Sequence, residues 1–235
     1  RFCAAGHVYA PPRFRSHEEI IAAIDNGLML KNKIGLVGTA VSDHPDLLKI
    51  CQYIVDHGAQ AGIGSLRLDR MDAKIVDRLK ASGIETVALA PEAGSQRLRD
   101  LLCKGITTDD ILNAARLLIE KEISNLRLYF MVGLPTETDE DIDAIIDLAK
   151  KIQHTALSHT EGKRKFRRVT LSINQFIPKP RTPLQWYALS NVQVVGKRIK
   201  KISQAFRQDK QINVIADMPK WNYVQALLSL GDRRV

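Results

Sequence analysis

The sequence is short of cysteine, short of aromatic residues and has no long apolar run, and each shortage removes a class of protein. Three cysteines, Cys3, Cys51 and Cys103, are too few and too scattered among 235 residues for a secreted disulfide framework. A reducing cytoplasm is therefore expected. No stretch approaches the roughly 20 apolar residues of a membrane span, and no signal peptide opens the chain. With aromatic residues at 6%, a stacking platform for single-stranded nucleic acid is not supported. Neither GxGxxG nor GxxxxGK[ST] occurs, which weighs against a phosphate-cradling loop, and the histidines lack HxxxH metal spacing. No Ser-, Gly- or Pro-rich linker divides the chain, so it is read as one folded unit.

What is present is positive charge and a repeating strand and helix pattern. The formal charge is +9, concentrated at Lys163–Arg168 and Lys197–Lys201. Two solvated faces are the preferred reading of those runs, with contact with a polyanion such as RNA as the alternative. The most informative stretch is Leu126–Ile142. Seven mostly apolar residues, Leu126 to Val132, suit a strand buried on both faces, and Gly133 and Pro135 stop it. Thr138 followed by Asp141 has capping-box spacing, and Asp139, Glu140 and Asp141 put negative charge at a helix start. Ile142, Ile145, Ile146, Ala149 and Ile152 then recur at helical spacing.

The same alternation runs along the chain. Helices are expected from Ser16, near Pro45–His57, around Ile75–Leu79, at Ser95–Lys104, at Thr108–Glu122 and from about Ser190. Strands are expected at Ile34–Val37, Ala61–Leu68, Thr86–Ala90 and Arg168–Phe176, with a short one at Asn213–Ala216 and a last helix at Trp221–Leu230. Such units build parallel sheets whose loops at the strand carboxyl ends carry chemistry. The fold class is α/β, a partial six-unit (β/α) TIM-like barrel with its first strand missing or incomplete, residues 1–185, plus a helical carboxyl-terminal extension at 186–235.

In a barrel the aliphatic set on each strand should face the helices. In Arg168–Phe176 this turns Val169, Leu171 and Ile173 outward and leaves Thr170, Ser172, Asn174 and Phe176 inside. The same reasoning places Ser65, Arg67, Thr86, Ala88, Ala90, Glu92, Arg127, Tyr129 and Met131 inside. An Arg67–Glu92 pair or a bound polar ligand would each account for buried charge there.

With these strands in view, Arg1-Phe2-Cys3 resembles the end of the CxxxCxxC loop of radical S-adenosylmethionine (SAM) enzymes, and the two earlier cysteines and first strand are expected upstream of Arg1. Ala90-Pro91-Glu92-Ala93-Gly94-Ser95 and Met131-Val132-Gly133-Leu134-Pro135-Thr136-Glu137 resemble the fourth- and fifth-strand loops of that superfamily. Phe176-Ile177-Pro178-Lys179-Pro180-Arg181-Thr182-Pro183 resembles the last-strand segment of methylthiotransferases and cobalamin-associated members, and Gly231-Asp232-Arg233-Arg234 also looks like the latter. The resemblance implies Cys3 as a ligand of a 4Fe-4S cluster, with Phe2 beside it. It implies SAM contacts from Thr39, Ser65, Arg67, Glu92, Ser95, Gly133, Leu134, Asn174 and Phe176. In that chemistry three thiolates leave one iron open to chelate SAM, and one-electron cleavage yields a 5'-deoxyadenosyl radical. A reductant such as flavodoxin or ferredoxin is implied, with cobalamin through an upstream domain left open. With one candidate thiolate, residues 1–235 alone are expected to hold no stable cluster. The alternatives are a methylthiotransferase acting on tRNA or ribosomal protein, and a catalytically silent RNA- or protein-binding barrel. The other cysteines, Cys51 and Cys103, are expected in the core, and Trp186 and Trp221 as core or lid residues.

Overall fold

A computed structural model describes residues 1–38, 41–64, 66–159 and 166–234. Strand and helix alternate as the apolar spacing predicts. After a single turn, α1 (Ala5–Val8), come α2 (His17–Leu28), β1 (Lys33–Leu36), α3 (Leu47–Asp56), β2 (Gln60–Ile63), α4 (Ala73–Ala81) and β3 (Thr86–Glu92). The chain continues through α5 (Gln96–Leu101), α6 (Thr108–Glu120), β4 (Asn125–Val132), α7 (Asp139–His159), β5 (Arg168–Gln175), α8 (Val192–Ala205), β6 (Ile212–Ala216) and α9 (Pro219–Leu230). The helix starts have the expected chemistry: Ser16 and Glu19 close a reciprocal capping box on α2.

All strand pairs are parallel. The strands β1 and β2 form one pair, and β3, β4, β5 and β6 form a four-stranded sheet in chain order. Just past β2, the Leu66 N–H donates to the Ala88 carbonyl at 3.5 Å and links the two sheets. The result is the partial α/β barrel that the alternation implies. Val169, Leu171 and Ile173 are fully buried with Leu128, Phe130 and Val132 under the helices α6, α7 and α8, so the aliphatic set does face outward into the helical layer.

Four expectations need correction. The strand expected at Ala61–Leu68 ends at Ile63, because Gly62 and Gly64 bring no side chains to pack and Leu68–Arg70 turns as a short 3-10 helix. The short strand expected at Asn213–Ala216 forms as β6 and pairs with β5 from Val169↔Ile212 to Ile173↔Ala216, so the segment 186–235 adds a strand to the sheet and is not a helical extension alone. Cys103 is exposed beyond the end of α5 with φ of 52°, whereas Cys51 is buried as expected. Trp186 and Trp221 are 87% and 62% exposed, so neither is a core residue.

Candidate active site

The carboxyl ends of β3, β4 and β5 open into a cavity of about 790 Å³. Ala90 and Glu92 from β3, Tyr129 and Met131 from β4, and Asn174, Gln175 and Phe176 from β5 line it. These are largely the inward sets anticipated from strand alternation. Phe2 and Cys3 line the opposite wall, with Lys179, Asp217, Asn222 and Gln225 from the segments after β5 and β6. A second hollow, of about 640 Å³, lies on the helical layer among α2, α3 and α4, between residues such as Lys49, Gln52, Asp56 and Lys74.

Cys3 reaches the cavity because its neighbours are anchored. Phe2 packs against the cluster of Ala93, Leu98, Leu102, Leu134, Phe176 and Leu184. The Arg1 nitrogen donates to the Leu102 carbonyl at 2.9 Å. An aromatic residue before the cysteine thus acts as a hydrophobic plug that leaves the thiol exposed at the rim. Cys51 is its opposite, sealed in the core where burial pushes the thiol up to about 11.

Glu92 is aimed by an irregularity of the sheet. Leu89 pairs with Leu128 but Glu92 pairs with Phe130, so β3 carries one extra residue there. Pro91, which has no N–H to give a ladder, sits in that bulge, and Glu92 leaves it with φ of 67°. Its carboxylate meets Lys104 Nζ at 3.0 Å. Burial raises the Glu92 pKa above the ordinary glutamate value, and the Lys104 charge and hydrogen bond only partly counter it.

The loops that follow are tightly braced. A Cβ at Gly94 would lie 2.2 Å from the Ile145 backbone nitrogen, so this loop rests directly on α7. Arg99, fully buried, donates to the Ala93 and Gly94 carbonyls at 3.0 and 2.8 Å. After β4, Gly133 turns with φ of 79°, its N–H donating to Glu137 at 2.7 Å and its carbonyl accepting from the Ser190 hydroxyl at 2.9 Å. Arg198 of α8 pairs with the buried Glu137 at 2.7 Å. Burial pushes the Glu137 carboxyl up, against the pull of the Gly133 N–H and of Arg198.

The predicted site residues thus divide. Phe2, Cys3, Glu92, Asn174 and Phe176 come together at the cavity. Leu134 packs with Phe176 in the cluster beneath, and Gly133 forms the neighbouring turn. Ser95 caps α5 and donates to Asp141 at 2.6 Å. Burial opposes the Asp141 charge, yet hydrogen bonds from Ser95, Thr138 and Arg97 hold that carboxyl below the ordinary aspartate range. Arg67 does not pair with Glu92. It meets Asp69 at 2.7 Å and Asp43 at 3.2 Å, local acids that the strand-alternation argument did not consider. Thr39 and Ser65 lie outside the described residues. Sequence reasoning missed Lys104, Gln175, Asp217, Asn222 and Gln225. The Lys197–Lys201 run is partly used inside the fold, Lys201 pairing with Asp143 at 2.6 Å in addition to the Arg198 pair.

Among the described residues no three His, Cys, Asp or Glu side chains group as metal ligands, so Cys3 stands as a single candidate thiolate. No helix among the described residues is long and apolar enough to cross a membrane.

Comparison with known proteins gives this geometry a family. The model of the radical SAM superfamily matches residues 1–149. An uncharacterized protein of Methanocaldococcus jannaschii is 34% identical over 241 residues, covering 100% of this chain and 50% of that protein. An uncharacterized methyltransferase of Pyrococcus horikoshii is 31% identical over 88 residues, covering 37% of this chain and 19% of its own length. The chain thus spans at most about half the length of these curated relatives. Among solved structures, SuiB of Streptococcus suis bound to S-adenosylmethionine superposes with a TM-score of 0.59 at 13% identity, over 88% of this chain and 45% of SuiB. SuiB bound to its precursor peptide SuiA gives 0.61 at 11% identity, over 91% and 45%. At such identities the likeness is one of fold. The family match and the relative aligned along the whole chain together identify the chain as a member of the radical SAM superfamily.

Proposed function

We propose that residues 1–235 are the catalytic core of a radical SAM enzyme that binds S-adenosylmethionine in the strand-end cavity beside Cys3. The observation that carries this reading is the convergence of an exposed thiol, a desolvated carboxylate and a cavity large enough for a ligand on the carboxyl side of one parallel sheet. Among the described residues Glu92, Asn174 and Phe176 fit a SAM site, and Cys3 fits a 4Fe-4S cluster in part, since a cubane with one open iron needs three thiolates. Cys3 would hold one iron. The other two ligands would come from outside the residues described.

When bound, the cluster and SAM supply a 5'-deoxyadenosyl radical on one-electron reduction. The chain's own residues orient and shield. Glu92, fixed by the bulge and by Lys104, offers carboxylate oxygens to ligand hydroxyls. Phe176 and Met131 give the cavity apolar surface, and Asn174 faces it as an amide. The Gly133–Leu134 backbone, braced by Glu137 and Ser190, gives a fixed edge beside it. Methyl transfer is the second reading of the outcome, supported by the 88-residue likeness to a protein described as a methyltransferase.

Calorimetric titration of SAM into the full-length, cluster-reconstituted protein tests the reading. Binding is expected to fall at least about tenfold in Glu92→Ala, the loss of a charge-assisted hydrogen bond, and to be unchanged in Asp56→Ala on the helical layer. Equal binding by Glu92→Ala, or no binding by the wild type, would overturn it.

A further inference from the structure

The last helix turns Asn222 and Ala226 inward and several large apolar side chains outward. Asn222 of α9 is 6% exposed, whereas Trp221, Leu227 and Leu228 face solvent, Leu228 at 67%. Burying an amide costs free energy unless its hydrogen bonds are made, and leaving leucine and tryptophan outside forgoes hydrophobic gain.

Asn222 lines the strand-end cavity beside Gln175, itself 4% exposed. Asn222 Nδ2 donates to Gln175 Oε1 at 3.5 Å, the long limit of a hydrogen bond, and Gln175 Nε2 donates to the Ser190 carbonyl at 3.1 Å. Among the described residues these two amides make no other side-chain bonds. Each primary amide has four hydrogen-bonding positions, so the Asn222 carbonyl oxygen and further N–H groups remain available to the cavity. Neither amide has a side-chain atom that is both fully buried and unpartnered, so the spare positions open into the cavity, where a ligand can meet them.

The charge of the lining narrows the class. Lys104 offsets Glu92, and Lys179 and Asp217 contribute one charge of each sign. A wall that is neutral overall and rich in amides suits a neutral partner that both donates and accepts hydrogen bonds. We infer that Gln175, Asn222 and Gln225 form the substrate-recognition wall of the cavity and read a planar carboxamide-type edge. Calling it the substrate end rests on the proposed function, in which SAM occupies the side next to Cys3 and Glu92.

Three isosteric probes test the assignment: benzamide, benzoate and benzamidine, which are neutral, anionic and cationic. Their affinities for the full-length reconstituted protein are measured by ligand-observed NMR with and without SAM, alongside Asn222→Leu and the exposed Gln225→Leu. Benzamide is expected to bind at least about tenfold more tightly than either charged probe, and each substitution is expected to weaken it by a similar factor, one or two amide hydrogen bonds in each case. SAM affinity should stay the same in both variants. Equal affinity for the three probes, no binding of any, or unchanged benzamide binding in both variants would overturn the inference. So would a matching loss of SAM affinity, which would assign the amides to SAM. A wild type that binds benzamide but not SAM would overturn the proposed function and leave the amide wall standing.

Discussion

The two sheets are built to different standards. The β1–β2 pair consists of four-residue strands with only partial burial, β1 alternating exposed and half-buried positions. The β3–β6 sheet has strands of up to eight residues, and Leu89, Leu128, Phe130 and Leu171 are all at 0% exposure. The loops differ in the same sense. After β3 and β4, Arg99, Glu137 and Arg198 tie backbone carbonyls and N–H groups into place, whereas Arg67 after β2 is occupied by nearby aspartates. Groups that must be held within fractions of an ångström sit on the sheet that is already rigid, and Glu92, Asn174 and Phe176 all do.

The strongest way to break that contrast is Gly94→Ala. The new methyl would meet α7 backbone rather than a movable side chain, so a loss of about 4 kcal/mol or more, read as failure to fold or a collapse of the thermal midpoint, is expected. A variant with wild-type stability would contradict the close approach. Paired truncations sharpen the contrast: Leu171→Ala should cost about 3 kcal/mol in urea unfolding and the half-buried Ile34→Ala only about 1 kcal/mol. Equal costs would mean that the two sheets are alike.

A smaller effect concerns Glu92 and pH. Burial raises its pKa in the folded state, so the folded protein binds this proton more readily than the unfolded chain does. The stability this group contributes is full below its ordinary value of 4.5 and declines as pH rises through the elevated folded value. Glu92→Gln should therefore melt at a higher temperature than the wild type at about pH 8, with the gap closing as the pH falls towards that ordinary value. A gap that widens on acidification would contradict this. The smallest expected change is chemical: iodoacetamide at mildly alkaline pH should label Cys3 and Cys103 in the cluster-free protein and spare Cys51, as read by peptide mass spectrometry.

Much of the architecture was legible because it depends on local pattern. The alternation of Val169, Leu171 and Ile173 with Thr170, Ser172 and Asn174 assigned the faces of β5, and Ser16 with Glu19 marked a helix start. The motif resemblance brought Cys3 and Glu92 into view. Other features depend on contacts distant in sequence. Lys104 reaches Glu92 only because Cys103 and Gly105 turn the chain through left-handed conformations. Arg67 turns to Asp69, two residues on, and to Asp43, 24 residues away, rather than across the barrel to Glu92. The inward turn of Asn222 could not be read from periodicity, since Trp221, Tyr223, Val224, Ala226, Leu227 and Leu228 ring α9 and mark no single face.

On the proposed function, SAM is cleaved in the cavity beside Cys3. The full-length protein, reconstituted anaerobically with iron and sulfide and reduced by a strong one-electron donor, should form 5'-deoxyadenosine from SAM, and Cys3→Ala should abolish that product while leaving the fold intact by circular dichroism. Formation of 5'-deoxyadenosine by Cys3→Ala at the wild-type rate, or failure of a cluster-loaded wild type to bind SAM, would contradict the account.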